Sequence, residues 1–393
     1  LIFAEDKGEG DISSFAALAT ALAATIGTGN IVGVATAIKT GGPGALFWMW
    51  IAAFFGMATK YAEGLLAIKF RTLDDQGNVS GGPMYYITHG FSGKWQIIAK
   101  PLAYFFAFAG VLVAWLGIGT FSQVNSITSS LQNSFGWSPK IVSVILALIT
   151  AAIIFGGIQS ISKVSEKVVP FMAGLYIIAA LIVIFANFNQ LLPVLEMVFQ
   201  SAFTGKAAVG GFAGATVMAA MRLGIARGVF SNESGLGSAP IAAAAAKTEE
   251  PVEQGLISMT GTFIDTIIIC TLTGLAILVT GQWSGSLEGA PMTQAAFSSI
   301  FGTFGELALT LSLVLFAFTT ILGWSYYGER CFEFIFKSTK FLSFYRLIFV
   351  VMVALGGYLT LEVVWKIADI VNGLMALPNL IALLVLSPII LKE

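Results

Sequence analysis

The chain has 393 residues, of which 57% are hydrophobic and only 10% charged, with a net charge of −1. An average soluble domain is about 25% charged, so lipid must be the solvent for most of this surface. The balanced charge gives no field that would attract nucleic acid, and a single histidine, His89, excludes a His-based catalytic or metal centre. Cys270 and Cys331 lie in apolar contexts without metal-ligand spacing and read as buried thiols.

A helix needs roughly 20 apolar residues to cross the hydrocarbon core. Ten windows qualify: 13–39, 45–70, 101–131, 140–155, 164–186, 210–246, 255–280, 304–336, 345–361 and 363–391. The connections carry turn residues and charge, as in Asp74-Asp75-Gln76-Gly77-Asn78 and Lys247-Thr248-Glu249-Glu250-Pro251. The stretch 190–203 is amphipathic and too short to span, which suits an interfacial helix. The chain begins at Leu1 without a signal-peptide pattern; its first residues read as the cytoplasmic approach to the first helix, with sequence expected upstream. Lys and Arg then set the orientation. With the first helix starting inside, the inner loops hold Lys69, Arg71, Lys94, Lys100, Lys163, Lys167, Lys247, Arg330, Lys337, Lys340 and Arg346. The outer loops hold only Lys39, Lys140, Lys206 and Lys366, so both ends of the chain are expected in the cytoplasm.

Two windows are interrupted. The first carries Thr25-Ile26-Gly27-Thr28-Gly29-Asn30 at its middle, and the sixth carries Arg227-Gly228-Val229-Phe230-Ser231-Asn232-Glu233-Ser234-Gly235-Leu236-Gly237. Glycine costs about 1 kcal/mol against alanine in a helix, so both clusters favour breaks. Their five-helix separation matches an inverted repeat with one discontinuous helix opening each half. An isolated glycine would more simply serve helix packing.

An unwound membrane helix must satisfy its backbone groups elsewhere. Free N–H groups at a half-helix start suit a carboxylate, and freed carbonyls suit a small hard cation. A zwitterionic amino acid with Na⁺ answers both. The carboxylate is expected on the N–H groups around Gly27, Thr28 and Gly29, and the ammonium near Phe230, Ser231 and Asn232. In the eighth window, Thr319 and Thr320 either return their hydroxyls to the preceding turn or join the carbonyls of Ala23 and Ile26 in an oxygen cage for Na⁺. Trp324 lies one turn beyond Thr320 and can wall a small pocket. Gln123 and Asn125 in the third window must face the bundle interior, as hydrogen-bonding partners or as cavity lining. Asp265 remains open between a cation or proton site, a partner for an intramembrane arginine, and a near-surface position. Lys60 and Glu63 are spaced to pair along one helix. Arg222, Arg227 and Glu233 flank or enter the second break, where a gating ion pair is possible without a partner being specified.

The run from Ala24 to Ile38, the segment from Gly41 to Trp50, Gly56-Met57-Ala58-Thr59-Lys60-Tyr61-Ala62-Glu63 and Gly81-Gly82-Pro83-Met84-Tyr85-Tyr86 resemble the alanine or glycine:cation symporter family. So do the segment from Arg227 to Ala246, Pro251-Val252-Glu253-Gln254-Gly255 and Phe263-Ile264-Asp265-Thr266. The resemblance covers nearly the whole chain. It implies an all-α polytopic membrane protein of the leucine-transporter type. Residues 1–189 would form the first five-helix repeat, 190–205 an amphipathic connector and 206–393 the second, inverted repeat, together one transport domain. It also implies a plasma-membrane symporter that imports alanine or glycine with Na⁺ as coupling ion and no other cofactor. Carried over by motif, Gly27, Thr28, Gly29, Phe230, Ser231 and Asn232 surround substrate; Gln123 and Trp324 as cavity walls follow from position and polarity instead, and Thr25, Asn30 and Thr320 join the candidate substrate contacts. Ala23, Ile26, Thr319 and Thr320 would hold Na⁺. Family members usually carry a further helix before the first one here.

The rivals are a proton-coupled carrier, a non-transporting amino-acid sensor of the same fold, a channel and an intramembrane enzyme. A channel needs rings of charge or carbonyls around an axis, and an enzyme needs a nucleophile with its base, or a metal. The sequence shows neither pattern.

Overall fold

The computed structural model describes residues 10–74, 77–204 and 217–393. The remaining residues include the approach to the first helix, the start of the sixth window at Gly210, Lys206, and the expected boundary between connector and second half. These lie outside the described residues.

The first window is discontinuous. Helix α1 (Ser14–Thr25) is capped by Ser13, whose hydroxyl accepts from the Ala16 N–H at 3.0 Å. It stops where Ile26 turns extended, and the chain resumes as a π-helical turn, Gly29–Gly33, leading into α2 (Val34–Gly41). The two segments meet at a 49° bend. Helix α3 (Gly44–Lys69) follows, then a short antiparallel pair, β1 (Thr72–Leu73) and β2 (Val79–Ser80), and α4 (Pro83–Gly90). Sequence patterning did not indicate the hairpin or α4, because their segments are too short to show a period.

The third window divides into α5 (Gln96–Leu116) and α6 (Phe121–Phe135). The chain between them opens at Gly117 and Gly119, and Thr120 Oγ1 turns back to the Trp115 carbonyl. This third interruption was not expected. Helices α7 (Pro139–Ile154), α8 (Gly157–Ala186) and α9 (Phe188–Thr204) follow. The amphipathic α9 lies across α3: Trp48 Nε1 donates to the Ala202 carbonyl at 3.2 Å, and Phe47 packs on Phe199 and Phe203.

Helix α10 (Val217–Asn232) ends at Glu233, which holds a left-handed φ of +58°. Gly235 and Gly237 follow at φ +83° and +78°, conformations that glycine adopts without penalty. The short α11 (Ala239–Ala243) then closes earlier than the expected end at 246. Its downstream residues pair instead with the segment before α1. Ile12 and Ala246 form a parallel bridge, Ile12 N–H donates to the Ala245 carbonyl at 3.1 Å, and Lys247 N–H donates to the Ile12 carbonyl at 2.9 Å.

Next, α12 (Pro251–Thr262) passes through a π-helical stretch, Phe263–Cys270, into α13 (Thr271–Val279). Helix α14 (Gly289–Phe301) was not expected; α15 (Thr303–Phe336), α16 (Leu342–Leu355) and α17 (Leu361–Ile390) correspond to the last three windows.

Seven described helical spans are long and apolar enough to cross a membrane, and the bent α1–α2 pair makes eight. Helix α7, at 16 residues, is about 24 Å long, short of the roughly 30 Å core. Exposed Phe54, Phe55, Leu148, Phe185 and Leu384 ring the outside. Polar residues such as Glu63, Gln123, Asp265 and Asn379 are buried. This inversion of the soluble pattern is that of a polytopic membrane protein.

Candidate functional site

The two breaks lie against each other. A β-carbon on Gly29 would fall 2.9 Å from the Ser231 Cα, so only glycine permits the approach. At the first break, Gly27 N–H donates to Asn30 Oδ1 at 2.8 Å and Thr28 N–H donates to Gln123 Oε1 at 3.1 Å. Gln123 reaches the break because the opening at Gly117 and Gly119 redirects α6. Its Nε2 donates back to the Ile118 carbonyl at 2.9 Å. Among the described residues the buried Thr28 hydroxyl has no hydrogen-bond partner, which is uncommon for a buried polar group.

Asp265 joins the breaks. Asn30 Nδ2 donates to its Oδ1 at 2.7 Å, while Ser231 Oγ and Thr266 Oγ1 donate to its Oδ2 at 2.9 and 2.7 Å. Asn232 Nδ2 donates to Thr266 Oγ1 at 3.1 Å. Asn30, Ser231, Asp265 and Thr266 are fully buried. Among the described residues Asp265 has no arginine partner, and it is not near the surface. Of the three possibilities open in the sequence, the arginine pair and the near-surface position are not what the described residues show; the carboxylate is instead hydrogen-bonded between the two breaks. Thr266 was missed; its position beside a rare acid was the only available signal.

The two threonines of α15 diverge. Thr320 Oγ1 lies 3.3 Å from the Ile26 carbonyl and 3.0 Å from the Phe316 carbonyl. Thr319 Oγ1 instead bonds the Leu315 and Phe316 carbonyls at 3.0 Å and faces Met172 Sδ at 3.6 Å. Thr320, Ile26, Gly27, Thr28 and Gln123 thus form one group, and Asn30, Ser231, Asn232, Asp265 and Thr266 an adjoining one. Ala23 is buried where α1 passes close to α15: a β-carbon on Gly323 would meet that of its neighbour Ala24 at 2.7 Å. Asn125 turns away, donating to the Leu359 carbonyl at 2.8 Å.

The second break is held by carboxylates. Trp324 Nε1 donates to Glu233 Oε1 at 2.7 Å and Ser238 Oγ donates to Glu233 Oε2, fixing the left-handed turn. Glu63 Oε1 accepts from Gly235 N–H at 3.1 Å, Gly237 N–H at 3.2 Å and Asn379 Nδ2 at 2.7 Å. The expected Lys60–Glu63 pair therefore does not form; Glu63 caps the unwound backbone instead. On one side, Arg227 makes two 3.0 Å bonds to Asp369 and stacks 4.4 Å from the Trp365 ring, itself 4.6 Å from Phe230. On the side where α1 starts, Arg330 is shared by Asp74 at 3.2 Å, Glu333 at 2.8 Å and Glu329 at 3.5 Å. Arg346 holds Glu329 at 2.6 Å.

The family model described as the sodium:alanine symporter family matches residues 1–393. The chain belongs to this family. The chain is 51% identical over 395 aligned residues to the sodium/alanine symporter AgcS of Methanococcus maripaludis, covering 99% of this chain and 85% of that protein. It is 54% identical over 395 residues to an uncharacterized transporter of Haemophilus influenzae, covering 100% of this chain and 85% of that one. Among solved structures, Mhp1, a nucleobase-cation-symport-1 family transporter in a closed conformation, superposes with a TM-score of 0.61 at 11% identity, over 98% of this chain and 81% of that one. The last similarity is one of fold. Family membership and the apolar helices together make this chain a multi-pass membrane transporter.

Proposed function

We propose that this symporter imports a small neutral amino acid, alanine or glycine, with Na⁺ by alternating access. The observation that carries the reading is the junction of two helix breaks around Thr28 and Asp265. It offers a carboxylate the unpartnered Thr28 hydroxyl, and the Gly27 and Thr28 N–H groups once Asn30 and Gln123 release them, and it offers cations a buried negative charge and carbonyl oxygens. Substrate lies along Thr25, Gly27, Thr28, Gly29 and Asn30, against Phe230, Ser231 and Asn232, with Gln123, Thr320 and Trp324 as further contacts. Na⁺ takes oxygens from Ala23, Ile26 and Thr320, and Thr319 joins after a change of rotamer. Asp265 supplies the charge that favours cation entry. The walls Phe230 and Trp324 restrict the space to small side chains.

The architecture behind this is a five-plus-five inverted repeat, 1–189 and 206–393 joined by the connector 190–205. The protein lies in the plasma membrane with both ends inside. The bundle of α1–α3 and α10–α13 rocks against the remaining helices, carrying the broken segments with it. Proteoliposomes loaded without Na⁺ should accumulate labelled alanine when an inward Na⁺ gradient is imposed. Accumulation driven equally by a proton gradient in the absence of Na⁺ would replace Na⁺ by H⁺ as coupling ion. Saturable alanine binding with no uptake under either gradient would make the protein a sensor.

A further inference from the structure

Lys60 is a buried cation that the reading above does not use. It sits on α3 with 3% of its surface exposed. Among the described residues it has no hydrogen-bond or ion-pair partner, although its positive field reaches Glu63, Glu233 and Asp265. An unpaired ammonium inside a membrane protein is costly and is retained where it faces a polar pathway. Lys60 lines a cavity of about 20 Å³ between α1, α11 and α12, shared with Thr25, Asn232, Gln254 and Ser258. Gln254 is 1% exposed, and its Oε1 is buried without a partner. The cavity therefore presents an unpaired cation and an unpaired carbonyl oxygen. It begins at residues of both breaks and extends toward the start of α1.

We infer that Lys60 and Gln254 form a second, transient station for the amino acid, on the path between the central site and the membrane face where α1 starts. Lys60 receives the carboxylate and Gln254 Oε1 the ammonium. The inference rests on the transport function proposed above. A cavity of this size holds about one water molecule, so the station assembles only when α1, in addition to rocking with the bundle it shares with α12, also moves away from α12 as the central site opens to that face. It is a relay on the release route: the zwitterion exchanges the N–H donors of the first break for an ammonium without crossing an interval in which its carboxylate is unpaired.

The test measures half-saturating alanine concentrations in right-side-out and inverted membrane vesicles, which present opposite faces of the protein. Lys60→Gln and Gln254→Leu should each raise the value by about tenfold, equivalent to about 1.4 kcal/mol, at the face where α1 starts. The value at the opposite face should change less than about twofold, well below that tenfold step. Lys60→Arg should recover most of the loss. Gln254→Leu removes no charge and keeps the test decisive if Lys60→Gln fails to fold. Equal shifts at both faces would make Lys60 a structural counter-charge for the carboxylates, and no shift would place the route elsewhere; either result overturns the station. Wild-type vesicles that move no alanine in either orientation would instead remove the transport function, and the station with it.

Discussion

At the scale of single residues, the informative feature is where polar side chains find partners inside an apolar protein. The sequence placed Thr319 and Thr320 together, but one helical position separates their directions by about 100°, so only Thr320 meets the Ile26 carbonyl. Thr320→Ala removes that oxygen and leaves backbone geometry intact. One bond to a charged group is worth roughly 1.5–3 kcal/mol, so the Na⁺ concentration for half-maximal uptake should rise about 10–100-fold; unchanged Na⁺ dependence would exclude Thr320 from the cation site. Asp265→Asn preserves shape but removes the buried charge. Na⁺-driven uptake is expected to fall at least about tenfold, a barrier change near 1.4 kcal/mol, in protein that still elutes as a single folded species. Uptake at the wild-type level would assign Asp265 a purely structural role. The residue types of the site were legible because polar groups in apolar windows are conspicuous. Their pairings were not: Glu63 lies three residues from Lys60 yet caps a backbone break more than 170 residues away in sequence, and no local spacing encodes that choice.

At the scale of elements, the sequence showed most long helices and the two broken ones, since apolar length and clustered glycine are local signals. It did not show the opening between α5 and α6, where the surrounding run remains apolar through Gly117 and Gly119. That opening matters because it brings Gln123 to the first break. Nor did it show the π-helical stretches, which depend on hydrogen-bond register rather than composition. Helices α10 and α17 are joined at one side of the site by Arg227 and Asp369, and the Asp369 side chain is 52% exposed. Exposed pairs contribute about 0–1 kcal/mol to stability. Asp369→Ala should therefore leave the melting temperature within a few degrees, about the effect of 1 kcal/mol or less, while uptake drops severalfold because closure over Phe230 and Trp365 is impaired. A large loss of thermal stability with normal uptake would contradict a role in closure.

At the scale of the whole molecule, the apolar exterior and charge-poor composition already specified a membrane protein, whereas the links between distant segments emerged only from the structure. One such link surrounds Asp11, beyond the start of α1. Its carboxylate accepts the Val79 N–H at 3.1 Å. Burial raises its pKa above the ordinary 3.8, against the opposing effects of that bond and of Arg330. A raised carboxylate contributes stability at low pH that is lost as pH rises through the folded-state value. Asp11→Asn should therefore match the wild type most closely near pH 4, about the ordinary carboxylate value, and gain in relative melting temperature toward neutrality. A difference that shrinks with rising pH would reverse the assignment. The backbone bridge between Ile12 and Ala246 lies beside it, with Lys247 N–H on the Ile12 carbonyl. Its consequence is mechanical: the base of the first broken helix is laced to the segment leaving the second, so the two act as one lever. A displacement of the chain before α1 would therefore pull on the segment after α11 through these same bonds.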